Sequence, residues 1–211
     1  MKIFKSITDF ARWRNSIESQ NIGFVPTMGA LHLGHFSLIE QSINQNTLTI
    51  VSIFVNKLQF GPNEDFNNYP RDVEKDLKAL DSLGVNAVLL PSHEELYDTS
   101  FSFSVSESAL STKLEGASRP QFFNGVCTVV LKLFNIVKPN QSFFGQKDIQ
   151  QLMIIKKMTL DLNLNVEIVG CKTVREKSGL AMSSRNQYLN DEEKRLASNI
   201  YKFLQESKKL I

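Results

Sequence analysis

Short apolar runs alternate with amphipathic segments along this chain. The strand-like runs are 22–25 (IGFV), 48–55 (LTIVSIFV), 86–90 (NAVLL), 142–145 (SFFG) and 164–171 (LNVEIVGC). The second run is β-branched and almost entirely apolar, which is typical of a strand covered on both faces. The pattern therefore predicts five strands.

Apolar residues recur at helical spacing between these runs. The spacing predicts one helix over 73–83, with Asp72 as its N-cap and Gly84 as its stop. The clearest helical pattern covers 126–137 and ends before Pro139. Three further amphipathic segments complete the pattern: one after His32, one from Asp148, and 190–209, which has acids in its first turn and lysines in its last.

Alternating buried strands and helices predict an α/β fold, a mostly parallel sheet with helices on both faces. Ligands of such sheets bind beyond the carboxyl ends of the strands. The polar segment 61–72 (GPNEDFNNYPRD) follows one of these ends. It is either a lid over a ligand site or an ordinary surface loop.

Composition narrows the class of protein. The 211 residues fit one large domain, or one domain plus part of a second, and 42% apolar with 22% charged residues is ordinary for a soluble globular protein. The net charge of +2, without blocks of like charge, argues against a large nucleic-acid surface.

No apolar run approaches the ~18 residues of a membrane span, and the N-terminal residues lack the apolar core of a signal peptide. Cys127 and Cys171 have no CxxC spacing and are expected to be buried thiols in a reducing compartment. We expect a cytoplasmic protein.

Two histidines flank a glycine where the first apolar run turns into a helix, in the segment PTMGALHLGH. Gly29 and Gly34 have the spacing of a P-loop, but His35 follows where that motif requires lysine. What remains is a strand-to-helix turn that offers His32, His35 and backbone amides to a phosphate. Imidazole donates a hydrogen bond whether neutral or charged, so it can follow charge developing on a phosphoryl oxygen. The alternative is a histidine pair that only caps or packs.

A second segment, FGQKDIQQ (144–151), follows a later strand. It places Lys147 and Asp148 at a strand end and Gln151 one turn into the next helix. Lysine suits a phosphate, and glutamine suits a carboxylate or hydroxyl. The alternative is a solvated helix start capped by Asp148.

Two further loops carry polar side chains of the same kind. Ser183, Ser184 and Arg185 concentrate two hydroxyls and a guanidinium, a common way to hold polyphosphate. Asn56 and Gln59 follow the second strand, where amides either bind a small polar substrate or turn the chain. We find neither a Ser/His/Asp order nor a third metal ligand near the two histidines, and His93 is expected in a surface loop.

Taken in order, these segments resemble the pantothenate synthetase (pantoate–β-alanine ligase) family of the HIGH-motif nucleotidyl-transfer superfamily. The resemblance covers nearly the whole chain, with HLGH standing for HIGH and MSSRN for the KMSKS-type loop. It implies a Rossmann-like ATP- and pantoate-binding domain over 1–172. It also implies that 173–211 hold the SSRN loop and the first helix of a truncated C-terminal domain, because family members continue well beyond the 26 residues that follow Arg185 here.

The resemblance also implies a reaction. Pantoate and Mg-ATP form pantoyl adenylate and pyrophosphate, and the amine of β-alanine then attacks the acyl carbon to give pantothenate and AMP. ATP and Mg²⁺ are thus the expected cofactors, pantoate and β-alanine the substrates, and a homodimer the expected assembly. No nucleic-acid or membrane partner is expected.

Site residues follow from the resemblance position by position. His35 is the residue usually assigned acid or catalytic status, assisted at the phosphates by His32 and Lys147. Gln59 and Gln151 would hold pantoate, with Asn56 and Arg119 as further substrate contacts. The implied nucleotide site comprises Met28, Gly29, Ala30, Leu31, His32, Leu33, Gly34, His35, Gly145, Gln146, Lys147, Asp148, Val174, Met182, Ser183, Ser184 and Arg185.

Several positions depart from the family pattern. Lys57 and Leu58 stand where Pro-Met is usual, Gln146 replaces a glutamate, and residues 122–124 lack a histidine and an arginine.

Three other functions compete with a ligase: a nucleotidylyltransferase, a fragment of an aminoacyl-tRNA synthetase, and a non-catalytic ATP-binding or dimer-forming domain. The paired FVNKLQF and GQKDIQQ segments weigh against the first, and the near-neutral charge weighs against the second.

Overall fold

The computed structural model describes residues 1–17 and 20–210. Six strands form one parallel sheet in the order β1-β4-β3-β2-β5-β6. This confirms the predicted α/β fold. The strands are β1 Lys2–Phe4, β2 Ile22–Thr27, β3 Leu48–Ile53, β4 Ala87–Leu89, β5 Gln141–Gly145 and β6 Glu167–Cys171.

Helices connect the strands, and several begin at a side-chain cap. The Asp72 carboxylate accepts from the amide of Lys75, as the sequence predicted, and Asn190 with Glu193 forms a capping box. The helices are α1 Ile7–Ser16, α2 Leu33–Gln45, α3 Val73–Ser82, α4 His93–Leu96, α5 Glu115–Ser118, α6 Phe122–Val137, α7 Ile149–Asp161 and α8 Asp191–Lys208.

The five predicted strands are present with shifted ends. β2 continues through Pro26 to Thr27, and β3 stops at Ile53. β1 was not predicted, because it has only three residues and no buried position, and α1 was not predicted either. His93, expected in a loop, is exposed at the start of the one-turn helix α4.

The core lies on both faces of the sheet. Successive strand residues point to opposite sides, so Phe24 and Ile50 join one buried cluster with α6 and α7, while Val25 and Val51 join another with α2 and α3. Cys127 and Cys171 are buried free thiols, as expected, and burial raises the pKa of each to about 11. No helix in the described ranges is long and apolar enough to cross a membrane.

α6 packs unusually close to the 3-10 turn Lys57–Gln59 that follows β3. A β-carbon built on Gly125 would lie 2.2 Å from the carbonyl oxygen of Leu58. The carbonyl oxygen of Gly125 also accepts a hydrogen bond of 3.0 Å from the Asn56 amide. The absence of a side chain at residue 125 therefore lets the backbone after β3 rest against α6.

We predict that Gly125→Ala lowers the free energy of unfolding by about 1–3 kcal/mol, the usual range for overpacking, because the clash is with backbone. Urea denaturation of both proteins measures the difference. The control is Gly145→Ala, since residue 145 has a φ of −76° and its nearest neighbouring atom would be 4.0 Å away. A change for Gly125→Ala no larger than that of the control would contradict the close packing.

Candidate active site

The carboxyl ends of β2, β3 and β5 open into one cleft, which also receives the loop after β6. The sheet edge is where a parallel fold is expected to bind ligands. The predicted site residues that line the cleft are Met28, His32, Gly34, His35, Asn56, Gln59, Arg119, Gly145, Lys147, Asp148, Gln151, Val174, Met182, Ser183, Ser184 and Arg185.

The two histidines begin α2. His32 is the N-cap and its Nδ1 accepts a hydrogen bond of 3.1 Å from the amide of Gly34. Nδ1 of His35 accepts in turn from the amide of His32, at 3.4 Å, and the two ring centroids are 4.1 Å apart. A neutral imidazole whose Nδ1 accepts carries its proton on Nε2. Each ring therefore keeps an Nε2–H donor.

Burial and nearby positive charge keep these rings neutral. Burial, followed by the adjacent His32 and Lys147, lowers the pKa of His35 to about 3. Burial and Lys147 also lower the pKa of His32, while Asp148 opposes the shift. At neutral pH both side chains are thus neutral hydrogen-bond donors in the free protein, and His35 carries no imidazolium proton to deliver.

The turn that precedes these histidines is left-handed at two successive residues, Gly29 (φ 78°) and Ala30 (φ 49°). The Asp76 carboxylate of α3 accepts hydrogen bonds of 2.8 Å from the amides of both Ala30 and Leu31. These amides point toward α3, and residues 29, 30 and 31 do not line the cleft. The side chain of Leu33 is exposed and does not line it either.

The segment after β5 contributes a charged pair. Nζ of Lys147 lies 3.1 Å from a carboxylate oxygen of Asp148, and both residues line the cleft with Gln151. Asp148 is the exposed N-cap residue of α7, and it makes no side-chain capping bond, so the interpretation of this segment as a solvated helix start stands beside that of a phosphate site. Gln146, in contrast, is exposed and does not line the cleft.

Asn56 and Gln59 differ in what their side chains are free to do. Asn56 is 1% exposed, donates to the Gln59 side chain and accepts from the Tyr97 hydroxyl. Gln59 is partly exposed to the cleft, and its amide donates to the sulfur of Met28 at 3.0 Å. Asn56 is therefore engaged within the protein, and Gln59 is the amide available to a ligand.

The 61–72 loop closes one side of the cleft through two ion pairs. Arg185 donates through two nitrogens to Asp65, at 2.8 and 2.9 Å, and Tyr188 donates to the same carboxylate. Arg119 makes an equivalent two-nitrogen pair with Glu64. These contacts favour the lid interpretation over that of an ordinary surface loop.

The sequence did not reveal several residues of this site. Glu64, Asp65, Tyr69 and Asp76 have partners far away along the chain, so no local motif marks them. The apolar wall was also missed: Val126, Val129, Val130 and Leu133 of α6 line the cleft. Their helical spacing was visible, but spacing alone does not distinguish a wall from a core.

Comparison with known proteins decides the family. The model of the pantoate-beta-alanine ligase family matches residues 2–210. The chain belongs to this family. It is 55% identical to a pantothenate synthetase of Thermosipho africanus and 51% identical to one of Fervidobacterium nodosum, covering all of this chain and 77% and 76% of those relatives.

Solved structures of the family agree with the fold. The pantothenate synthetase of Thermus thermophilus superposes with a TM-score of 0.92 at 43% identity, over 96% of this chain and 72% of the other. The Francisella tularensis enzyme, described as complexed with beta-gamma ATP and beta-alanine, gives the same TM-score at 44% identity, over 97% of this chain and 79% of that one. The Rossmann-like fold that the resemblance implied is confirmed.

We predict that acid destabilises the protein through His35. A pKa lowered from 6.5 to about 3 means that the unfolded chain binds the proton first, so stability is full above pH 6.5 and falls as pH drops toward 3. The loss from this group is about 2 kcal/mol at pH 5 relative to pH 8, at 1.36 kcal/mol for each pKa unit. Urea denaturation at both values measures it. His35→Asn keeps an acceptor near the position of Nδ1 but does not titrate, so its free energy of unfolding should fall correspondingly less between pH 8 and pH 5. Equal losses in the two proteins would contradict the lowered pKa of His35.

We also predict that Asp65→Asn loosens the 61–72 loop without unfolding the protein. Removing the charge weakens the pair with Arg185, while an exposed pair contributes only about 0–1 kcal/mol to global stability. Trypsin cleavage after the exposed Arg71 should accelerate several-fold. Asp9→Asn, which breaks the remote surface pair with Arg12, is the control, and cleavage as slow as in that control would argue against the loop contact.

Proposed function

We propose that this chain catalyses the ATP-dependent condensation of pantoate with β-alanine, through pantoyl adenylate, to give pantothenate, AMP and pyrophosphate. The observation that carries the proposal is the meeting, in one cleft, of two neutral imidazoles, a lysine and two glutamines on the scaffold of this ligase family. The Francisella tularensis relative, described as complexed with beta-gamma ATP and beta-alanine, supports ATP and β-alanine as two of these substrates.

In the first step a carboxylate oxygen of pantoate attacks the α-phosphorus of ATP, the bond to the β-phosphate bridge breaks, and pyrophosphate leaves. Charge grows on the leaving pyrophosphate. In this proposal the Nε2–H groups of His32 and His35 and the ammonium of Lys147 stabilise it without donating a proton. Ser183 and Arg185, across the cleft, complete the phosphate contacts we propose, while the Ser184 hydroxyl donates to the carbonyl oxygen of Ala30.

Gln59 and Gln151 orient pantoate in this mechanism. Each amide offers two donors and one acceptor, which matches a substrate bearing hydroxyls and a carboxylate. Asn56, fully engaged inside the protein, fixes Gln59 instead of contacting the substrate. Arg119 is held by Glu64 and Glu115, so we propose that it anchors the 61–72 loop.

In the second step the amine of β-alanine attacks the acyl carbon, and the bond to the AMP oxygen breaks. Pantoyl adenylate is a mixed anhydride that water would hydrolyse. The apolar wall of α6, together with Phe60 and Tyr69, limits water around it. Positioning two reactants in one cleft then supplies much of the rate.

Mg²⁺ enters this scheme with ATP. No group of three His, Cys, Asp or Glu side chains arranged for a metal occurs in residues 1–17 and 20–210, so we propose that the phosphates supply most of its ligands. We further propose a cytoplasmic homodimer, and we retain the division into a domain over 1–172 and the start of a second over 173–211.

The decisive experiment is pantoate-dependent exchange of labelled pyrophosphate into ATP. We expect exchange with pantoate and Mg²⁺. His35→Ala should lower the exchange rate at least 100-fold, the lower range for removing one hydrogen-bond donor to developing charge, while keeping the native circular dichroism spectrum. His93→Ala, on the exposed helix α4, is the control and should exchange normally. Exchange that does not need pantoate would favour a nucleotidylyltransferase. ATP binding without any exchange would favour a non-catalytic nucleotide-binding domain.

A further inference from the structure

Asp76 is a buried carboxylate that the scheme above does not use. It is 3% exposed, in the first turn of α3, and acids are almost never buried so deeply without partners. Its partners are two consecutive backbone amides: one oxygen accepts from Ala30 and the other from Leu31, each at 2.8 Å. Hydrogen bonds to an ionised acceptor are about twice as strong as neutral ones.

These bonds act where the backbone is strained. Ala30 has a φ of 49°, in the left-handed region that residues with a β-carbon rarely adopt. Gly29 precedes it with a φ of 78°, and a β-carbon there would lie 3.0 Å from an Asp76 carboxylate oxygen. The turn therefore needs both a glycine and an external contact that holds Ala30 in place.

A second contact holds the same residue from the cleft side. The Ser184 hydroxyl donates to the carbonyl oxygen of Ala30 at 3.0 Å. The peptide groups on both sides of Ala30 are thus fixed, one set of bonds reaching α3 and the other the loop after β6. His32 follows two residues later as the cap of α2, so the orientation of this turn sets the position of both imidazoles.

We propose that Asp76 is a positioning residue for the reaction: its carboxylate holds the turn over residues 29–31 in the left-handed form that presents His32 and His35 to the ATP phosphates. The inference rests on the proposed function and adds a residue outside the cleft to it. The carboxylate form is required because two oxygens must accept. An asparagine offers one oxygen, and its NH₂ group would face the second amide donor.

The matched variants are Asp76→Asn and Asp72→Ala, both on α3. Asp72 caps that helix through the amide of Lys75, whereas Asp76 bonds the turn, so the loss of Asp72 weakens the same helix from a different point. Pantoate-dependent exchange gives kcat and the KM values for ATP and pantoate, and urea denaturation gives stability. We expect Asp76→Asn to lower kcat/KM for ATP at least tenfold with the pantoate KM within twofold of wild type. Asp72→Ala, even if it is less stable, should keep its kcat/KM for ATP within threefold of the wild-type value.

The two proposals fail separately. A wild-type protein without pantoate-dependent exchange would overturn the proposed function. Wild-type exchange matched within threefold by Asp76→Asn would leave that function standing and overturn the role of Asp76. An equal loss in Asp72→Ala would do the same, since general weakening of α3 would then explain the effect.

Amide hydrogen exchange on the wild-type protein tests the inference even if Asp76→Asn does not fold. If Asp76 holds the turn, the amides of Ala30 and Leu31 are protected without nucleotide. Their protection should change less than twofold when α,β-methylene-ATP and pantoate are added. Amides that exchange freely in the unliganded protein and become protected with the analogue would show that phosphate binds them directly, and would overturn the inference.

Discussion

Parallel pairing of β2 with both β3 and β5 is the constraint on which the cleft depends. Thr27 at the end of β2 pairs with Ile53 at the end of β3, and β5 runs in the same direction on the other side. Because carboxyl ends of parallel strands meet at one edge, the histidine turn, the Asn56–Gln59 segment and the Lys147 segment emerge side by side. Segments about 30 and 120 residues apart in the sequence thus share one site.

The cationic side chains Lys147, Arg119 and Arg185 at this edge are at least partly exposed, and each pairs with a carboxylate. Both imidazoles are neutral. When a polyanion enters, a phosphate oxygen can replace the carboxylate at Arg185 and keep the two-nitrogen geometry that a guanidinium prefers. The cleft can therefore exchange one anion for another at modest free-energy cost.

Local patterns predicted the fold wherever burial is periodic. α6 is the clearest case, since its apolar spacing over 126–137 gave the helix and only its start at Phe122 was missed. α1 was not predicted because the side chain of Arg14, inside the helix, is buried through bonds to the carbonyls of Val137 and Lys138, more than 120 residues away. The same limit applies to the site. His32 and His35 are marked by a local motif, whereas Asp65 gains its meaning only from Arg185, 120 residues later.

The strengths of these contacts divide the site into a fixed part and a part that can move. The turn at Ala30 is held by two bonds to a buried carboxylate, and hydrogen bonds to charged groups contribute about 1.5–3 kcal/mol each. Leu80, fully buried one turn after Asp76, fixes α3 to the core. The 61–72 loop is held by the buried ring of Tyr69 and by two ion pairs whose members are only partly buried, and ion pairs open to solvent contribute about 0–1 kcal/mol. Entry and release of ligands should therefore open the loop, while the turn, α3 and the histidines keep their geometry throughout the reaction.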